Sequence, residues 1–227
     1  MTETVLYPWE LHAHTAPVSV CAKLTARQMV RAVAKKGYYG IVVTDHYNPE
    51  RFEGKTRGKA FAEEIHHLFG GFREAASAGA EEGVTVLCSS ELRITAGKED
   101  YLLYGLTEDI ALEVGFLADL PLERVRERLQ PHGILIVQAH PCRPGLRTAD
   151  SRLLDGVEVV NGNPRHQNNN DRAFRFAQAH GLLMTRGSDV HESGDEGCAR
   201  MLLPPAKDER ALVQNLLTYA QERYIVD

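Results

Sequence analysis

Cysteine is sparse and never paired in this chain: Cys21, Cys88, Cys142 and Cys198 form no CxxC motif. That excludes a zinc ribbon and a dense disulfide framework, and Cys88, inside an apolar run, reads as a buried free thiol. No stretch approaches the roughly 18 apolar residues of a membrane span. Met1-Thr2-Glu3-Thr4 lacks the basic and apolar regions of a secretory leader. The expectation is a cytoplasmic protein without membrane association. No serine- or glycine-rich linker or block of charge divides the 227 residues, so one domain over residues 1–227 is expected. Positive charge is not in excess either. The net charge of −5 argues against capture of extended nucleic acid and favours a small anionic partner, with a local basic patch left open. Nothing in the sequence indicates an oligomeric state.

What is present is ordinary globular material, 43% hydrophobic and 25% charged, in which apolar runs alternate with amphipathic segments. Thr25 and Gln28 form a capping box, Met29, Val30, Val33 and Ala34 keep helical spacing, and Gly37 supplies a stop. A β-branched and aromatic run at 39–44 follows, read as a strand. The same rhythm continues with a helix over 59–82, broken near Gly70-Gly71, and strands at 84–89 and 101–105. Helices are expected at 109–118 and 122–130, strands at 133–138 and 156–160, a helix at 169–180, a strand at 182–185 and a last helix at 207–223. Strands alternating with helices imply an α/β fold around a parallel sheet, open or closed into a barrel.

The polar residues fall at the ends of these strands. His12 and His14 close the first run, Asp45 and His46 the second, Glu91 the third, His140 a later one, and Asp189 with His191 the last. In a parallel α/β barrel the carboxyl ends of the strands meet at one mouth, where such folds place their chemistry. The i, i+2 spacing of His12 and His14, repeated in Asp189 and His191, points both side chains the same way on an extended backbone. Gathering so many titratable groups without a counter-ion costs on the order of several kcal/mol in repulsion and desolvation, which divalent cations remove. Mixed imidazole and carboxylate donors suit zinc, manganese or iron. Glu91 can bridge two ions, and ions about 3.5–4 Å apart generate a nucleophilic hydroxide and neutralise an in-line phosphoryl transition state. His66-His67 reads as a solvated helix face, and His132 and His180, each before a glycine, read as helix-end cations.

These residues belong to four motifs, taken in order: Glu10-Leu11-His12-Ala13-His14-Thr15, Thr44-Asp45-His46, Gln138-Ala139-His140-Pro141 and Gly187-Ser188-Asp189-Val190-His191. Through them the chain resembles, over nearly its whole length, the PHP (polymerase and histidinol phosphatase) family. The resemblance implies a distorted, TIM-like (β/α)7 barrel with two or three divalent ions. It places His12, His14, Glu91 and Asp189 on a first ion, Glu91 and His140 on a second, and His46 and His191 on a third, with Asp45 beside them. In His140-Pro141-Cys142-Arg143-Pro144-Gly145 it makes Arg143 a clamp for phosphate, which its planar fork suits.

Two departures from the family pattern stand out. No further His or Asp follows the first motif closely, and Cys21 falls where one would be, making it a candidate thiolate ligand. Residues 100–105 contain no histidine to complete the second ion. His166, in an asparagine-rich loop after a strand end, is a candidate substrate contact. The expected activity is hydrolysis of a small phosphomonoester or phosphodiester, a phosphorylated metabolite or nucleotide, through a metal-bound hydroxide. Arg143 would bind phosphate, and Asp189 or a neighbouring histidine such as His191 would move the proton. Two alternatives are a metal-binding barrel with degraded catalysis and a regulatory or structural role, suggested by the two departures, and an amidohydrolase-like hydrolase. The latter needs a bridging lysine at a strand end, and none is so placed.

Overall fold

In the computed structural model, which describes residues 4–221, the first helix begins at its capping residues. Gln28 N donates to Thr25 Oγ1 (3.3 Å) and Thr25 N to Gln28 Oε1 (2.9 Å), which satisfies two amide donors otherwise left unpaired. Following the first strand, β1 (Tyr7–Ala13), this helix is α1 (Ala26–Lys35), and it buries Ala26, Met29, Val30 and Val33. The break foreseen near Gly70-Gly71 separates α2 (Gly58–Leu68) from α3 (Gly70–Glu82). The other helices are α4 (Glu108–Val114), α5 (Leu122–Leu129), α6 (Asn170–His180) and α7 (Glu209–Tyr219). α4 ends earlier than the sequence suggests, at Gly115, where φ is +73°. Of the helix expected over 207–223, residues 222 and 223 lie outside the described residues.

The remaining strands are β2 (Gly40–Val43), β3 (His46–Tyr47), β4 (Thr85–Cys88), β5 (Glu91–Arg93), β6 (Asp100–Tyr104), β7 (Leu135–Gln138), β8 (Gly156–Asn161), β9 (Leu183–Gly187) and β10 (Met201–Leu203). They pair as two sheets, β10-β1-β2-β4 and β3-β5-β6-β7-β8-β9, instead of one closed ring of seven strands. The expected strands at 39–44 and 84–89 each stop short, at Val43 and Cys88, and a second short strand begins at His46 and at Glu91. Between them, Ser89 N still donates to Val43 O (2.9 Å) and Glu91 N to Asp45 O (3.2 Å), which keeps the broken strands side by side. On the opposite side an isolated bridge joins Ala13 to Val190, with Val190 N donating to His12 O (3.0 Å) and His14 N to Val190 O (2.9 Å).

Nor is the sheet wholly parallel. β6 runs antiparallel to both β5 and β7, and β10 antiparallel to β1. For β6 this inverts the rule that strands reach the site with their carboxyl ends, because its first residue, Asp100, stands where its neighbours end.

Two apolar clusters hold this frame. The larger contains Trp9, Leu11, Val42, Leu102, Val137, Val157 and Met184, and the smaller packs α1 and α3 on β2 through Met29, Val30, Val33, Ile41, Ala75 and Ala78. Each large apolar side chain so buried contributes roughly 1.5–3 kcal/mol, so the strand ends carrying the polar residues are anchored by the buried core. Among the described residues no helix is long and apolar enough to cross a membrane.

Candidate metal centre

Bringing β1 against β9 sets the geometry of the centre. Gly187 makes the approach: a Cβ there would lie 2.5 Å from His12 Cβ and 2.9 Å from Glu158 Oε1. Beyond it the chain turns sharply, and Asp189 takes φ of +55° while His140, after β7, takes +30°. Left-handed backbone at residues other than glycine costs of order 1–3 kcal/mol each and concentrates at functional sites. Of the three such residues described, Asn169 being the third, His140 and Asp189 present side chains to the same cluster.

The cluster is built around Glu91 and Asp189. His12 Nε2 lies 3.3 Å from Glu91 Oε1 and 3.4 Å from Asp189 Oδ1, and His14 Nε2 lies 3.5 Å from Glu91 Oε2 and 3.4 Å from Asp189 Oδ1. His46 Nδ1 is 2.9 Å from Glu91 Oε2, His140 Nε2 is 3.0 Å from Glu91 Oε1, and His191 Nδ1 is 3.3 Å from Asp189 Oδ1. Three donor sets are close enough to hold one ion each: His12, His14 and Asp189; His12, Glu91 and His140; and His14, His46 and His191. Histidines from β1, β3 and the loops after β7 and β9 thus converge on two carboxylates.

Cys21 reaches this edge, with Sγ 3.2 Å from His46 Nε2. Burial opposes ionisation of its thiol, but His191 and His46 outweigh burial and bring it down to about 6. A thiol disposed to ionise therefore stands beside the third donor set. Asp45 behaves differently. Its oxygens accept from Thr15 N (2.7 Å), Thr15 Oγ1 (2.6 Å) and Ser19 Oγ (2.6 Å), so it braces the loop after β1 and lies outside the three donor sets. Its expected place among the ligands is thus not reproduced by the three donor sets, which leave Asp45 out.

The electrostatics are those of a cage for cations. Burial would neutralise Glu91 and Asp189, yet the surrounding histidines, His12 above all, hold both well below the usual carboxylate range. His14 is pushed the other way, well below the ordinary imidazole value, by burial and by its neighbours His46 and His191. It therefore keeps a free lone pair. His46 and His191 are drawn toward the charged form. Burial opposes it, but Glu91 and Cys21 raise His46 to about 10, and Asp189 and Cys21 raise His191 to about 10.

The test of fit lies in what is left unpartnered. His12 Nε2, His14 Nε2, His46 Nδ1, His140 Nδ1 and Glu91 Oε2 are all buried without a hydrogen-bond partner. Buried polar atoms are normally satisfied, and each exception costs about 1–3 kcal/mol. Several of these atoms point at the same two carboxylates, and that pattern fits divalent cations.

Several further residues support the centre. Glu158 Oε1 lies 2.9 Å from His12 Nδ1, and its Oε2 accepts from His140 N (2.9 Å) and Asn161 Nδ2 (2.9 Å). Glu10 Oε1 accepts from His12 N (3.0 Å) and Ser188 N (2.8 Å), tying β1 to the last motif. Arg143 is gripped on two sides, by Asn168 Oδ1 (2.7 Å) at Nε and by Asn161 Oδ1 (2.9 Å) and Asp189 Oδ2 (2.5 Å) at Nη2. His166 and Arg143 border a cleft of about 410 Å³ beside His140 and Asp100. Burial and the Arg143 charge lower the His166 imidazole below its ordinary value. A second cleft of about 790 Å³ opens on the Cys21 and His46 side.

Sequence reading assigned no role to Glu158 and Glu10, each buried among apolar neighbours inside a strand. A carboxylate fully buried in a sheet needs a partner, and that was the available signal. His66 pairs with Glu108 on the surface (2.8 Å), away from the cluster.

Residues 167–218 match the model of a family described as PHP-associated. None of the curated proteins compared with the chain matches it. Among solved structures, the fold is similar to that of a protein from Bifidobacterium adolescentis assigned as a metal-dependent phosphoesterase, with TM-score 0.54 and 20% identity over 95% of this chain and 97% of that one. An amidohydrolase from Chromobacterium violaceum, holding sulfate and no metal, aligns with TM-score 0.60 and 18% identity over 92% and 96%. A two-domain protein from Bacteroides vulgatus, containing a predicted PHP-like metal-dependent phosphoesterase, aligns with TM-score 0.59 and 14% identity over 97% of this chain and 64% of that one. The PHP-associated match falls on residues 167–218, and the solved structures share the fold of the chain. At these identities the structural likeness speaks for the fold alone, and the His, Glu and Asp clusters fit divalent ions on their own geometry.

Proposed function

We propose that the chain is a metal-dependent phosphoesterase acting on a small phosphomonoester or phosphodiester. The observation that carries this reading is the convergence of buried, unpartnered imidazole and carboxylate atoms from distant parts of the chain on Glu91 and Asp189. Divalent ions, when bound, supply Lewis acidity toward a phosphoryl oxygen and acidify coordinated water. His12, His14, Glu91, His140, Asp189, His46 and His191 would hold them, with Cys21 at the outer edge.

The protein's own part is positioning. Asp189 links the two functions, one oxygen among the histidines and the other on Arg143, so the guanidinium is fixed beside the cluster with its planar fork available for phosphate oxygens. Among the described residues, Arg143 Nη1 has no protein partner. His166, kept neutral by burial and by Arg143, can accept a hydrogen bond or proton from the substrate at the mouth of the cleft. Asp189, held ionised, suits ligand and anchor better than the proton carrier expected from sequence. The sulfate held by the Chromobacterium neighbour is a tetrahedral oxyanion of phosphate's shape, in keeping with this reading. Among the described residues no lysine pairs with the central carboxylates, which speaks against a lysine-bridged amidohydrolase centre.

The test is chelator-stripped protein, reloaded separately with manganese, zinc or iron(II) and assayed for phosphate release from sugar, amino-alcohol and nucleotide phosphates. Release that depends on reloading supports the proposal. Turnover that persists after complete metal removal, or its absence with every ion and ester although two or three ions bind, refutes it.

A further inference from the structure

The second donor set, His12, Glu91 and His140, offers three ligands from the protein, whereas divalent zinc or manganese takes four to six. The strand following Glu91 has no histidine to add. What it does have is Asp100, brought to the rim because β6 runs antiparallel to its neighbours. Asp100 is buried, only 2% exposed, and its Oδ2 lies 3.9 Å from His140 Nε2, the same nitrogen that lies 3.0 Å from Glu91 Oε1. One imidazole nitrogen thus sits between two carboxylates. Both Asp100 oxygens are meanwhile held by Arg93, at 2.7 and 2.6 Å from Nε and Nη2. Arg93 itself is half exposed and borders both clefts.

We infer that Asp100 is the carboxylate that completes the second ion's site, with Arg93 as its positioning and competing cation. The guanidinium neutralises a buried carboxylate that would otherwise be uncompensated beside Glu91. It holds the oxygens near His140 until an ion shares them, and its charge opposes that ion. Arg93 therefore sets how tightly the second site fills. A purely structural cross-strand pair, which the register Arg93↔Asp100 would equally allow, predicts no effect of either residue on metal uptake.

The inference rests on the multi-ion reading of the centre, and the experiment separates the two. Chelator-stripped protein is titrated with Mn(II), bound ions are counted by elemental analysis, and the affinity of each step is measured by competition with a chromophoric chelator. Asp100→Asn should lose the second ion, its affinity falling by about 10–100-fold or more, while the first ion binds as in the parent. Arg93→Met, which removes the competing charge and leaves Asp100 in place, should tighten the second step. Pairs of Mn(II) close enough to couple give an exchange-coupled paramagnetic resonance spectrum, which should collapse to that of isolated ions in Asp100→Asn. An unchanged second step in Asp100→Asn, or an unchanged or weaker one in Arg93→Met, overturns the assignment of Asp100. If the parent protein takes up a single ion, the multi-ion reading itself fails, and this assignment fails with it.

Discussion

Replacing Glu158 by glutamine would separate the orientation of a ligand from its presence. Glu158 makes three contacts: Oε1 with His12 Nδ1, and Oε2 with the His140 amide and Asn161 Nδ2, each at 2.9 Å. With the carboxylate accepting throughout, Glu158 holds a His12 proton on Nδ1, so the proton an ion displaces is the one on Nε2, toward Glu91 and Asp189. A glutamine side chain has one acceptor and one donor end. If its NH2 faces His12, the imidazole must accept and keeps its proton on Nε2, closing the ligand atom. If the NH2 faces the other way, it meets two donors, the His140 amide and Asn161, and the left-handed backbone at His140 loses its anchor. Either orientation sacrifices at least one charge-assisted hydrogen bond worth about 1.5–3 kcal/mol. Partners of this kind typically change metal affinity about 10–100-fold, or about 1.4–2.7 kcal/mol. The assay is competition with a chromophoric chelator at neutral pH, with circular dichroism to verify folding. A folded Glu158→Gln protein that binds zinc or manganese as tightly as the parent would refute the claim that Glu158 sets the His12 tautomer.

Loading the stripped protein should release protons. His46 and His191 stand at about 10 in the absence of an ion, so at pH 7 both are protonated and an ion must displace those protons. Metal affinity should therefore rise with pH toward about 10, and calorimetry in buffers of different ionisation enthalpy should count the protons; no release would contradict the assignment. By the same linkage, these raised values contribute stability to the metal-free protein that is fully present below about 6.5 and is lost as pH rises through about 10, visible as a falling Tm across that window. Cys21, lowered to about 6, should be alkylated by iodoacetamide at pH 7 in stripped protein and protected once ions are bound. Equal labelling rates with and without metal, read by mass spectrometry, would exclude it as a ligand. Gly187→Ala places a methyl group 2.5 Å from His12 Cβ and should lower stability by about 1–3 kcal/mol together with metal content. A normal Tm would show that β1 and β9 approach less closely than described.

The alternation of elements was legible in the sequence because helical spacing, the Thr25 capping box and the β-branched runs are local signals. So was the set of residues brought together, since His12, His14, His46, Glu91, His140, Asp189 and His191 each follow or end a strand segment. Residues inside a run gave no such cue. Glu158 looks like one polar interruption in Gly156-Val157-Glu158-Val159-Val160, and Glu10, though it opens the first motif, was given no role. Asp45 was read as part of the cluster because it adjoins His46, yet successive residues on extended backbone face opposite ways, and its carboxylate went to Thr15 and Ser19.

By itself, then, the sequence determined which chemistry the chain can hold: imidazoles and carboxylates at strand ends, in motifs whose spacing is short and local. Direction was beyond its reach. Whether a strand runs parallel or antiparallel depends on partners distant in the chain, and the reversal of β6 alone carried Asp100 to the rim and placed it against His140. The division into two sheets and the contact of Asp189 with Arg143 are decided in the same way, by packing between segments that no local pattern connects.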